Sequence, residues 1–304
     1  MVKVVKGSLS IIGRNKALGM TFYKRGNEII GRSCYKSQPS HQTPAQFRSR
    51  ERMRRLIALW NCFKGASVPV METHDGIAPY KAFIRLNYQA PATFLTRSQS
   101  KAKCAVLVPG LCISSGRLDP LDYDFETLPD GRRLVVTNLL TGLSADQTQP
   151  IGANTCVELR DLLFANEQNE QLQYNDTLVF YRLKQIVGRG EEEDLPTIAV
   201  ESASVPLTKS ANPYLFLEGH QLYTHKGFLA IAGADDPDSA YAVVLSDARR
   251  NTVSTQKIIT TSTYYEAFTT DEALARAVNS YGNVREGIQS SDDLQRGHSL
   301  IPNG

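Results

Sequence analysis

The stretch Asp176-Thr-Leu-Val-Phe-Tyr-Arg-Leu-Lys-Gln-Ile-Val187 decides the fold class of this 304-residue chain. Its β-branched and aromatic residues are typical of a β-strand. Other strand-like runs lie on both sides of it, punctuated by Gly, Pro and Asp turn signals such as Pro109-Gly110. The other predicted strands are 93–96, 104–108, 134–137, 198–207, 221–231, 240–246 and 252–261.

Helices are predicted at 44–63, 77–87, 154–165 and 272–281. The first has a strong start, because Thr43 is a favoured N-cap, Pro44 suits the first helical position and Gln46 completes a capping box. Thr269 and Glu272 predict the same kind of cap for the last helix. The first helix carries a core-facing stripe, which is Met53, Leu56, Ile57, Trp60 and Phe63.

Together these patterns predict a strand-rich α+β fold. A basic N-terminal hairpin-and-helix region precedes a mainly antiparallel β body with a few short helices. The expected divisions are residues 1–65, a body at 66–282 that could split into subdomains near 150–210, and a loosely ordered tail at 283–304.

Glycines punctuate residues 7–36, three of them spaced by six. The short apolar pieces between them predict twisted strands, with a tight turn at Arg25-Gly26-Asn27. A phosphate-binding glycine loop is disfavoured, because neither G-x-G-x-x-G nor G-x-x-x-x-G-K-[ST] occurs.

The net charge of +3, from 34 basic and 31 acidic residues, hides a strong segregation. Residues 1–65 hold fourteen basic side chains against Glu28 and Glu51, a net +12, and the remainder carries −9. A basic segment of this kind usually contacts nucleic acid, an acidic protein surface or an anionic membrane. Alternatively, its charge is neutralised by the acidic part of its own chain or of a neighbouring subunit.

The candidate contact residues for nucleic acid or a partner come from this basic segment. Strand-borne cations can follow a phosphate backbone and contribute position rather than sequence contacts. Arg48, Arg52 and Arg55 are spaced as one helical face apart from the apolar stripe, either solvated or in contact with an anion or partner. The full set is Arg14, Lys16, Lys24, Arg25, Arg32, Lys36, Arg48, Arg52 and Arg55.

No catalytic, metal or cofactor residue is predicted, and the chain is not expected to be an enzyme. The five cysteines show no C-x-x-C pair and are expected to be reduced and mostly buried. His220 and His225 would face opposite sides of a strand. Cys112-Ile-Ser-Ser-Gly116 is not a G-x-S-x-G elbow, and the acidic loops at 188–194 and 235–238 lack metal-ligand spacing. A hydrolase or nuclease is therefore disfavoured.

No run of eighteen apolar residues occurs, and the N-terminus lacks the apolar region of a secretory signal. The expected location is the cytoplasm during assembly and then a virion, with no membrane partner.

The N-terminal pattern resembles an uncharacterised family of Bacteroidota proteins. The matching stretches are Lys6–Gly13, Gly31-Arg32, Gln42–Gln46 with Arg48, Ala82–Asn87, Ala242–Ser246 and Val253–Gln256. The family pattern Asn-Pro-x-Thr-x-x-Gln-x-x-Arg is matched in part, because Ser40-His41-Gln42-Thr43 stands where Asn-Pro-x-Thr would. The resemblance implies no activity, but such genes often lie near phage or mobile-element genes.

The expected function is that of a non-enzymatic structural protein of a phage or related particle. Its basic N-terminal region would contact nucleic acid, copies of itself or other particle proteins. The alternative is an assembly module whose arginine helix docks an acidic partner without nucleic acid.

Overall fold

The computed structural model has an α+β, strand-rich fold, which confirms the predicted class. It describes residues 2–4, 13–15, 20–25, 28–33, 44–64, 70–72, 77–144, 147–191, 193–247 and 249–281. The chain divides into two compact units, Met1–Gln42 and Thr43–Gly304.

The first unit is a four-stranded antiparallel sheet with the order β1-β4-β3-β2. Its strands are β1 (Val2–Val4), β2 (Gly13–Asn15), β3 (Met20–Arg25) and β4 (Glu28–Ser33). This confirms the prediction of short strands in the glycine-rich segment. Arg25 pairs with Glu28, so residues 26 and 27 connect β3 to β4, where a turn is predicted, although they lie outside the described residues.

The second unit contains the five helices of the described chain and thirteen strands. The helices are α1 (Pro44–Lys64), α2 (Pro79–Asn87), α3 (Arg97–Lys101), α4 (Cys156–Phe164) and α5 (Asp271–Tyr281), with a 3₁₀ turn at Tyr264–Phe268. The strands are β5 (Val70–Met71), β6 (Cys112–Ser115), β7 (Tyr123–Thr127), β8 (Arg133–Leu140), β9 (Gln149–Pro150), β10 (Asp176–Arg189), β11 (Asp194–Pro206), β12 (Gln221–His225), β13 (Phe228–Ala232), β14 (Ser239–Asp247), β15 (Thr252–Val253), β16 (Gln256–Lys257) and β17 (Ile259–Thr260).

These strands form three sheets, which are antiparallel except for the parallel pair β5–β6. The first has the order β11-β10-β14-β15, with β17 also on β14. The second has the order β7-β8-β13-β12-β9, and the third β16-β6-β5. Strand β10, which contains the stretch quoted first, pairs with β11 on one side and β14 on the other.

Both faces of β10 are buried. Leu178 and Phe180 belong to a core cluster with Leu159 and Leu163 of α4. Residues of the opposite parity, Tyr181 and Leu183, belong to a second cluster that includes α1 and α2 side chains. A strand covered on both sides carries apolar residues at successive positions, which explains why this stretch is the clearest strand in the sequence.

Two predicted strands are wrong. Residues 93–96 are irregular and lead into α3, whose N-cap Thr96 forms a capping box with Gln99. Residues 104–108 are buried but belong to no sheet. The Gln185 side chain makes hydrogen bonds to their backbone of the kind that a neighbouring strand makes in a sheet. The Gln185 amide accepts from the Leu107 N–H at 2.8 Å and donates to the Ala105 carbonyl at 3.2 Å.

Three boundaries also differ from the prediction. The single strand predicted at 221–231 is a hairpin, with Lys226 and Gly227 at φ of 53° and 81° in its turn. The strand predicted at 252–261 is three short strands, β15 to β17. The cap of α5 is Thr270 rather than Thr269, because its Oγ1 accepts from the Ala273 N–H at 3.1 Å.

The predicted apolar stripe of α1 is only partly correct. Leu56 and Phe63 are fully buried, as expected, but Ile57 is 38 % exposed. Leu59 and Phe47, which lie outside the stripe, are buried. The buried part of the helix surface is therefore wider than the predicted apolar stripe.

Charge and compactness divide the chain at different places. The predicted boundary at residue 65 lies where the sign of the net charge changes. The boundary between the two compact units lies between Gln42 and Thr43. Helix α1 contributes Leu56 and Phe63 to the core of the second unit. The predicted tail at 283–304 lies outside the described residues.

Candidate functional site

Arg14 and Arg32 lie in one row of the N-terminal sheet, on the two sides of Thr21. The register pairs Thr21 with both of them, and Arg25 pairs with Glu28 farther along the same sheet. Because residues alternate between the faces of a sheet, positions 14, 25 and 32 belong to one face. Neighbouring strands are about 4.8 Å apart, so the α-carbons of Arg14 and Arg32 are about 10 Å apart.

Of the other predicted cations of this region, one is among the described residues, and it does not share that face. Lys24 pairs with Ile29 and belongs to the opposite face. Lys16 and Lys36 lie outside the described residues. The described backbone therefore brings together three of the six predicted strand and turn cations.

The three predicted contact arginines of α1 do not form one solvated face. The Arg52 guanidinium lies over the Tyr88 ring, 5.5 Å from its centroid. Arg48 is half-buried, and its Nε has no hydrogen-bond partner among the described residues. Arg55 is only 2 % exposed, which corrects its assignment to a surface arginine face.

Arg48 and Arg52 border an open hollow of about 300 Å³ at one end of the helix. Phe94, Thr269 and Asp271 complete much of its wall. Asp271 offsets part of the positive charge there, so this hollow is less basic than the helix sequence implies.

Arg55 and Glu51 are buried because they continue a row of covered positions along α1. Phe47, Glu51, Arg55 and Leu59 are spaced by four, and each is at most 2 % exposed. Residues four apart share a helix face, so two apolar residues bracket two charged ones. The apolar residues four positions before Glu51 and four positions after Arg55 indicate that Arg55 is buried. A count of basic residues alone does not show this.

Burial changes the pKa of both charged groups in this row. It raises the pKa of Glu51, against the effect of Arg54, which donates a hydrogen bond to the Glu51 carboxylate. Burial, and then the neighbouring charge of Arg52, lower the pKa of Arg55 to about 10. Arg55 therefore remains charged at neutral pH although its surroundings disfavour the charge.

The cysteines of the described chain are free thiols, and Cys104, Cys112 and Cys156 are buried. Burial, with smaller contributions from Glu193 and Cys62, raises the pKa of Cys104 to about 11. A thiol of that pKa is protonated at neutral pH and is a weak nucleophile. Cys34, the fifth cysteine, lies outside the described residues.

The two neighbouring histidines have separate partners. His220 Nε2 lies 3.0 Å from Tyr241 Oη, whereas His225 Nδ1 lies 2.6 Å from Thr148 Oγ1. In the part of the chain that the structure describes, no three His, Cys, Asp or Glu side chains are arranged to hold a metal ion. Nor does any helix of those residues have the length and hydropathy to cross a membrane.

The acidic turn predicted at 235–238 makes internal contacts. Asp236 Oδ2 lies 3.2 Å from Arg182 Nη2 and 3.3 Å from Lys184 Nζ. These two cations lie on β10, an inner strand of its sheet, so two ion pairs join the turn to that strand.

Comparison with known proteins does not assign this chain to a family. No family model, curated protein or solved structure matches it. Its function is therefore inferred from the positions of its charged groups.

Proposed function

We propose that this protein is a non-enzymatic structural protein of a phage or related particle that contacts nucleic acid through its basic N-terminal region. The contact residues are those of the N-terminal sheet, above all Arg14, Arg25 and Arg32. The resemblance to a family whose genes lie near phage genes supports a particle as the setting.

The row of arginine positions in the N-terminal sheet carries this proposal. Positions 14, 25 and 32 share one face of a sheet, and the segment before α1 is rich in basic residues. Cations on one face of a sheet can neutralise several phosphates at once, which gives strong, salt-dependent binding without sequence preference.

The helix is less suited to this contact than the sheet. Arg52 is held over Tyr88, Arg54 is held over Tyr281 at 4.3 Å, and Arg55 is buried. Arginines with partners inside the protein must give up those contacts to bind a phosphate backbone. Among the described arginines of α1, Arg50 is the exposed one.

The test is DNA binding by the full chain, measured by fluorescence anisotropy between about 50 and 200 mM salt. In one variant, Arg14, Arg25 and Arg32 are each replaced by Gln. We expect weaker binding and a shallower slope of log K against log salt, by about 2 to 3 for three lost phosphate contacts.

The matched control removes the same charge from the second unit through Arg85→Gln, Lys101→Gln and Lys209→Gln, three exposed positions. It should keep the wild-type slope. Equal losses in both variants, or no DNA binding by the wild type, would overturn the proposal.

The alternative is an assembly module without nucleic acid. The observation in its favour is the charge of the remaining chain, since residues 66–304 carry −9 and can face the basic region of another copy. Sizing the purified protein with and without nuclease separates the two. A nuclease-resistant assembly that dissociates when Arg14, Arg25 and Arg32 are replaced favours the alternative.

A further inference from the structure

A pocket of about 240 Å³ lies between α1 and the segment from Thr93 to Cys104. It belongs entirely to the second compact unit. Three cationic side chains, Arg54, Arg55 and Lys103, contribute to its wall with one carboxylate, Glu51. The pocket is therefore bordered by an excess of positive charge.

Two side chains in this wall have buried polar atoms without a partner. Arg55 is 2 % exposed, and its Nε and Nη1 have no hydrogen-bond acceptor among the described residues. Its Nη2 donates to the Ala90 carbonyl at 3.3 Å. Thr93 is also 2 % exposed, and its Oγ1 lacks a partner within the same part of the chain. Unpaired buried donors are rare in folded proteins, and a bound water molecule or ion commonly satisfies them.

The charges of the wall are also incompletely paired. Glu51 accepts from Arg54, which in addition lies over the Tyr281 ring. Neither Arg55 nor Lys103 has an ion-pair partner within the described ranges, and burial lowers the pKa of Arg55 to about 10. A charge that is desolvated without a counter-charge is unfavourable, so an anion in the pocket would relieve this cost.

We infer that this pocket binds a phosphate group, either free or carried on a small molecule. Its wall offers guanidinium, ammonium and hydroxyl donors, the last from Thr93 and Ser100, and phosphate accepts hydrogen bonds from all three. A water molecule occupies about 30 Å³ in the liquid, so the pocket has room for a phosphate and a few further atoms. This inference is independent of the proposed nucleic-acid contact.

The test is calorimetric titration of the full chain with inorganic phosphate and, separately, with glycerol 3-phosphate. Arg55→Met removes the buried charge and leaves an unbranched, apolar side chain. Thr93→Val removes only the unpaired hydroxyl and keeps the shape, so it reports on the pocket even where Arg55→Met disturbs folding. Arg50→Met is the matched control, because Arg50 lies on the same helix but is exposed and outside the pocket.

We expect saturable binding of one phosphate per chain, weakened tenfold or more by Arg55→Met and by Thr93→Val and unchanged by Arg50→Met. Tighter binding of glycerol 3-phosphate than of inorganic phosphate would identify a phosphorylated small molecule, and equal binding would identify free phosphate. Absence of saturable binding, or equal affinity in wild type and Thr93→Val, would overturn the inference. Thr93→Val should leave DNA binding unchanged, so the two proposals fail separately.

Discussion

Asp176 is a buried carboxylate at the start of β10, and only part of it is paired. Its Oδ2 accepts from the Gln173 N–H at 2.8 Å, but Oδ1 has no partner among the described residues. Burial raises its pKa, against that hydrogen bond, and the charge of Asp247 on the adjacent strand adds to the rise. Arg249 and Arg250 act in the opposite direction. The ionised form of Asp176 is therefore disfavoured in the folded protein.

Replacing Asp176 by Asn should stabilise the protein at pH 7 by about 1 kcal/mol, because it removes a buried charge and keeps an acceptor for Gln173. Because the pKa of Asp176 is higher in the folded than in the unfolded protein, its protonation stabilises the fold at pH values below the unfolded pKa of 3.8. This stabilisation is lost as the pH rises through the folded pKa. The gain should therefore be larger at pH 7 than at pH 4, as measured by urea unfolding at both. Asp119→Asn, at an exposed position, should change neither value. A loss of stability in Asp176→Asn at pH 7 would contradict this.

Gly116 has no room for a side chain. A Cβ atom there would lie 2.1 Å from the Val253 carbonyl oxygen, and backbone cannot move aside as a flexible side chain can. Gly116→Ala should destabilise the protein by about 2 kcal/mol or more in urea unfolding. Gly152→Ala is the control, since nothing lies within 4 Å of its Cβ position. Equal stability of the two variants would show that the β15 segment is free to shift.

Local signals predict four of the five described helices, because a cap is a contact between residues three apart. Thr155 and Glu158 form the capping box of α4. Helix α1 begins at the expected Pro44, and its predicted cap residue Thr43 lies outside the described residues. At 93–96 the deciding signal is local, because the Thr96–Gln99 capping box starts α3 there. The error at 104–108 arises where a distant residue decides the structure. Gln185 supplies hydrogen bonds that a neighbouring strand would otherwise supply, and no pattern within 104–108 shows this.

The same distinction applies to the candidate site. The basic composition of the first 65 residues identifies the arginines, but their surroundings depend on other segments. Arg55 is buried where Ala90 contacts it, and Thr93 borders the same pocket. The positions of Arg14, Arg25 and Arg32 on one face follow from strand register, which the sequence leaves open.

The capping box of α4 gives a direct test at this scale. Thr155→Ala removes the oxygen that accepts the Glu158 N–H, and it should cost about 1 kcal/mol in urea unfolding. Thr155→Ser keeps the hydroxyl and should cost less than half as much. If both variants lose the same stability, the methyl group of Thr155, rather than its cap, stabilises the helix.

The distribution of charge and the packing of side chains divide the chain at different residues. The two divisions assign α1 to different parts of the chain. By charge the helix belongs with the basic first 65 residues, since it carries five arginines. By packing it belongs with the second unit, where Leu56, Leu59 and Phe63 join one core cluster and Phe47 joins another. The helix therefore carries positive charge, whereas residues 66–304 carry a net charge of −9.

This difference predicts opposite results for two shortened chains. A chain of residues 43–304 keeps every residue of the described core clusters, so its melting temperature should equal that of the full chain within about 2 °C. A chain of residues 66–304 lacks Phe47, Leu56, Leu59 and Phe63. Loss of each large core side chain costs about 2 to 5 kcal/mol, and the sum for four is as large as the typical domain stability of about 5 to 15 kcal/mol.

The shorter chain should therefore fail to fold, as judged by the absence of a cooperative transition in circular dichroism. The 43–304 chain is its matched control, because both begin outside the N-terminal sheet and differ only by α1 and its flanks. A cooperative transition in 66–304 would show that the charge boundary, and not the compact-unit boundary, is the structural one. A strongly lowered melting temperature in 43–304 would show that the N-terminal unit stabilises the body.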